Sequence, residues 1–68
     1  MNDYNDAAPE SASDDTARQV ESLLTSGEEA SRTGDAKSAL AAFNKAISLD
    51  PSSDMAWFNR GVLLEAQQ

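Results

Sequence analysis

The chain contains no cysteine and no histidine among its 68 residues. Without cysteine, neither a disulfide framework nor a thiolate metal site can hold the fold. Without histidine, the usual nitrogen ligand of zinc, the commonest general base and the usual partner of a serine nucleophile are all missing. Of the side chains that commonly hold metal ions, only carboxylates remain. Basic residues are also scarce: five Lys and Arg stand against twelve Asp and Glu, a formal net charge of -7. Such a balance opposes polyanions, so neither nucleic acid nor an anionic membrane is an expected partner. No apolar run approaches the ~20 residues needed to span a bilayer. The N-terminal residues lack the positive n-region and apolar h-region of a secretory signal, and a cytoplasmic location is expected.

Where acids do cluster, their spacing opposes convergence. Glu28-Glu29 and Asp14-Asp15 are sequence neighbours, and neighbours on a helix point about 100° apart. No Asp-Gly calcium-loop spacing occurs. A chain this short holds one small domain, with little room for a catalytic cleft beside a core. The expectation is therefore a protein that is not an enzyme, with no metal and no cofactor.

Residues 1–14, rich in Asp, Ala, Ser and Asn, cannot bury enough apolar surface to offset the entropy of ordering. They are expected to form a disordered acidic leader, with the structured domain over 15–68. From Thr16 the pattern turns helical: Ala17, Val20, Leu23, Leu24, Gly27 and Ala30 recur at intervals of three and four. Gly34 suits the left-handed residue that ends a helix, with Arg32 in the last turn against the negative dipole end. This predicts a first helix over about 16–32.

Asp35 can cap a second helix, whose apolar face reads Ala36, Ala39, Leu40, Phe43, Ala46 and Ile47. Pro51 disfavours helical geometry at Asp50, which places this helix at about 35–49. Ser53 is a good cap for a third, over about 54–67. Short connections make neighbours antiparallel, and no segment alternates as strands do. The fold class expected is all-α, an antiparallel helical hairpin followed by a third helix.

The second helix and its exit carry Ala39, Phe43, Ala46 and Pro51 in a spacing that resembles the tetratricopeptide repeat, a 34-residue helix-turn-helix unit with the pattern W-x2-L-G-x2-Y, A-x3-F, P. Counting back places Leu23, Ser26, Gly27 and Ala30 on the first-helix positions. Counting forward places Trp57, Arg60, Gly61 and Leu64 on the next repeat. Leu23 to Trp57 and Gly27 to Gly61 are each 34 residues apart. The departures are Leu23 for the aromatic, Ser26 and Arg60 for the leucine, and Ala30 for the tyrosine. Physically, Gly27, Ala39 and Ala46 let two helices approach while Phe43 fills the space between them. A generic three-helix bundle shares that apolar spacing but has no reason to set glycines 34 residues apart.

The resemblance implies an α-solenoid piece covering residues 20–68 and acting as a protein-interaction scaffold. It also implies that two first-helix positions face a preceding repeat: Ser22 and Glu29 in the first repeat, Ala56 and Leu63 in the second. Polar followed by apolar is the order of an N-terminal cap. Partners of such repeats lie in the groove of successive first helices, here Leu24, Glu28, Ser31, Phe58, Asn59, Val62 and Glu65. Asn59 stands where peptide-gripping members hydrogen-bond a peptide backbone; a solvent-facing helix asparagine is the plain alternative. Trp57, Gly61 and Leu64 occupy the face that receives the next helix. The sequence stops at Gln68, where the family turns into that helix. Further repeats, a protein or peptide partner, or a second copy forming a homodimer are the expected covers. Self-association through the third helix is thus the alternative to a partner-binding scaffold.

Overall fold

The computed structural model describes residues 14–67, and their regular structure consists of three α-helices. These are α1 over Asp14–Arg32, α2 over Ala36–Leu49 and α3 over Asp54–Ala66. No strand occurs among the described residues, so the fold is all-α, a hairpin of α1 and α2 with α3 packed against it. The expected leader lies outside the described residues except for Asp14, which opens α1 two residues earlier than the apolar pattern begins. Asp14 and Asp15 supply the reason, because acids in a first turn meet the positive end of the helix dipole. Arg18 Nη1 adds an exposed ion pair to Asp15 Oδ1 at 3.3 Å.

The exit of α1 is fixed by Gly34, the one described residue with positive φ, at 89°. Its N–H donates to Ser31 O at 3.2 Å while Asp35 N–H donates to Ala30 O at 2.8 Å. This pair of bonds is the Schellman ending, which satisfies two of the carbonyls a helix end leaves free. Asp35 then caps α2, its Oδ1 accepting from Ser38 N–H at 3.2 Å. The reversal depends on both residues acting in sequence. Asp35→Ala is expected to lower stability by about 1 kcal/mol, the usual worth of a cap, measured as a shift in thermal midpoint by far-UV circular dichroism.

The second corner is built on Asp50 and Pro51. Asp50 Oδ1 accepts from Ser52 N–H at 3.2 Å and Ser52 Oγ at 2.7 Å, closing a local turn of the kind aspartate favours. Ser53 caps α3, with Oγ accepting from Ala56 N–H at 3.2 Å. At the far end Gln67 N–H reaches the carbonyls of Leu63 and Leu64, so α3 stops one residue short of the expected 67.

Two clusters hold the helices together. Val20, Ala46 and Ala56 meet at one end, flanked by half-buried Leu23, Leu24, Ile47 and Leu49. Ala39, Phe43 and Leu63 meet at the other, flanked by Leu24, Ala30, Ala36 and Leu40. Pairing of early α1 with late α2, and the reverse, is the antiparallel hairpin seen in contacts. Ala17, one turn before Val20, is exposed rather than part of the apolar face. Only alanines and Phe43 are buried on α2, which is what lets α1 and α3 both approach it. α3 packs chiefly on α2 and less on α1. No described helix is long and apolar enough to cross a membrane.

Candidate protein-binding surface

Gly27 sits where α1 crosses the ring of Phe43. A Cβ built there would collide with Phe43, with Cδ1 and Cζ at 2.8 Å and Cε1 nearer still. The contact therefore requires glycine, as the packing logic of small residues around one large one demands. Of the other residues expected to pack the repeat, Ala39 and Ala46 are fully buried and Leu23 is half-buried. Pro51 is exposed and acts in the turn instead: its carbonyl accepts from the Trp57 indole N–H at 2.8 Å.

The positions expected to face a preceding repeat divide as their chemistry requires. Ala56 and Leu63 are buried, 0% and 5% exposed, whereas Ser22 and Glu29 face solvent. Glu29 accepts from Arg32 Nη2 at 2.9 Å, an exposed pair three residues apart. Such pairs add little stability.

Of the seven residues expected in the groove, Glu28, Ser31, Asn59 and Val62 come together between α1 and α3. Arg32, Phe43 and Leu63 complete the lining of a cleft of about 190 Å³. That is below the ~300 Å³ at which small-molecule sites begin, so the cleft suits a protruding side chain rather than a free ligand. Asn59 Nδ2 donates to Glu28 Oε2 at 3.2 Å across it, a bond spanning 31 residues of sequence that spacing alone does not reveal. A side-chain amide carries two N–H donors and a carbonyl acceptor, and this bond engages one donor.

The remaining three are placed elsewhere. Leu24 is half-buried and packs against both core clusters. Phe58 and Glu65 lie around the outer side of α3, where they line an open depression with Trp57, Gly61, Val62 and Leu64. The expected seam of Trp57, Gly61 and Leu64 thus forms one surface with part of the expected groove.

That outer surface is the dominant anomaly of the structure. Met55, Trp57, Phe58, Val62 and Leu64 are 54%, 48%, 65%, 51% and 38% exposed, and all five belong to α3. Among the large apolar side chains of α3 only Leu63 is buried. Arg60 Cζ lies 5.6 Å from the centroid of the Trp57 ring, a cation–π distance, and Arg60 Nε is shielded from solvent without a hydrogen-bond partner. The cation is thereby drawn to one edge of the face. No group of three or more Cys, Asp or Glu that could hold a metal ion occurs among the described residues. Comparison with protein-family models, curated proteins and solved structures finds no match.

Proposed function

We propose that this chain is a protein-interaction scaffold, the N-terminal capping portion of a tetratricopeptide-type array, which binds a protein or peptide partner through α3 and the adjoining α1/α3 cleft. The observation that carries this reading is the concentration of five exposed large apolar residues on one 13-residue helix. Single exposed apolar residues are ordinary, but a contiguous apolar surface marks an interaction site. The division of Ser22 and Glu29 from Ala56 and Leu63 supports the capping position. The role is one of binding rather than catalysis, and it draws on no cofactor. Self-association of two copies through α3 is the rival reading, since it covers the same residues.

The test is capture and identification of a partner from native extract, repeated with Phe58→Ser/Val62→Ser. Both side chains are more than half exposed, so the helical circular dichroism spectrum should persist while capture falls at least tenfold, the loss expected when interface anchors are truncated. Capture indifferent to that change removes α3 from the reading.

A further inference from the structure

We infer that the occupant of the α3 face is an amphipathic helix of a partner protein carrying two basic residues about 11 positions apart. The inference rests on the interaction reading above and specifies its partner. It starts from the order of residues around α3, where each step turns about 100°. Asp54, Gly61 and Glu65 follow at spacings of seven and four, so they lie along one line of the helix. Trp57 and Leu64 border that line on one side, Phe58 and Val62 on the other. All seven residues are exposed.

The face is thus an apolar surface with an acid near each end and a glycine between. Asp54 and Glu65 are separated by about 16 Å at 1.5 Å per residue. No basic residue lies on the line, and Arg60 is turned to the Trp57 edge. Among the described residues nothing requires glycine at position 61. Its φ is not positive, nothing stands within 4 Å of a Cβ built on it, and glycine inside a helix is unfavourable relative to alanine. A dent in the middle of an apolar face permits close approach of another helix, as small residues do wherever helices touch.

Shape alone admits a second copy of this chain. Two α3 helices packed antiparallel about a two-fold axis can seat Phe58 of one copy in the Gly61 dent of the other. Phe58–Gly61 and Asp54–Glu65 share one midpoint in the sequence, so that register also sets Asp54 against Glu65 at both ends. The apolar cover is similar for either occupant, and the sign of charge at the ends separates them. Like charges face each other in the self-paired arrangement, whereas a basic helix meets each acid with an opposite charge.

The probe is a tryptophan-free peptide of about 18 residues, five helical turns, with leucines on one face and two lysines 11 apart bordering it. Companion peptides carry glutamate or glutamine at those two places. Binding is followed through the fluorescence of Trp57, the only tryptophan in the chain. At low salt the lysine peptide is expected to bind about tenfold tighter than the glutamate peptide, since each exposed charge pair is worth a few-fold. Asp54→Asn/Glu65→Gln should erase that order. Asp3→Asn/Asp6→Asn, of equal net charge, should preserve it and so exclude a general attraction to an acidic protein. Equal affinity for all three peptides overturns the charge assignment and leaves the interaction reading standing. Failure of every peptide to bind overturns the helix-docking inference, while capture sensitive to Phe58→Ser/Val62→Ser still stands by itself. A stoichiometric dimer of the unmodified chain at low salt, by molar mass across a concentration series, assigns the face to a second copy and overturns it as well.

Discussion

Phe43→Ala is expected to unfold the domain. Phe43 is 2% exposed and is the largest fully buried side chain. It lies against Gly27 of α1 and shares a cluster with Ala39 and, from α3, Leu63. Truncating a buried phenylalanine costs about 3–5 kcal/mol, the lost transfer energy plus the cavity left behind. Folded domains have only about 5–15 kcal/mol in total, and small ones sit at the low end. Relaxation can refill this cavity only in part, because Gly27 and Ala39, which lie against the ring, have no side chain long enough to move in. Thermal and urea unfolding followed by circular dichroism should show loss of the cooperative transition; a midpoint only slightly lowered would contradict the central place of this ring.

The two helical glycines should respond in opposite directions to the same substitution. Gly27→Ala places a methyl group on the Phe43 ring, and overpacking of this kind typically costs about 1–3 kcal/mol, exceeding the gain in helix propensity of up to ~1 kcal/mol. Gly61→Ala meets open space, so the propensity gain stands alone and the midpoint should rise by roughly 4–8 °C per kcal/mol. Paired melts of the two variants check this directly. A fall for both would mean that Gly61 is under a constraint absent from the isolated chain's packing. A rise for both would mean that the Gly27–Phe43 contact is looser than its geometry.

The opposite behaviour of residues sharing one sequence spacing shows where reading the sequence reached and where it stopped. Helix class and order were legible because the apolar residues of α2 recur at intervals of three and four, and because Gly34, Asp35, Pro51 and Ser53 each have a narrow set of backbone roles. The start of α1 was less so, since Asp14 belongs by composition to the leader and by electrostatics to the helix. Leu24 was assigned both to the apolar face of α1 and to the groove, and it packs against both core clusters. It lies on the border between the side of α1 facing α2 and the side facing α3, and periodicity within one helix does not report how closely a third leans over it.

The surface divides in the same way. The uncovered side of α3 was legible in part, from the placing of Trp57, Gly61 and Leu64 on a face that receives a further helix. The Asn59–Glu28 bond, the Trp57–Pro51 bond and the position of Arg60 over the indole were not evident. Each depends on side-chain torsions and on the distance between helices, which spacing leaves open. The partial signal for the first was the assignment of Asn59 and Glu28 to one groove.

The hydrogen bond from the Trp57 indole to the Pro51 carbonyl gives the molecule an internal optical gauge. It ties the sole tryptophan, at the start of α3, to the corner that follows α2, while half of the ring still faces water. Emission from that ring therefore registers whether the corner is closed separately from whether the outer side of the ring is covered. A spectrum recorded on the unlabelled chain can in this way distinguish fraying of one joint from the arrival of a neighbour.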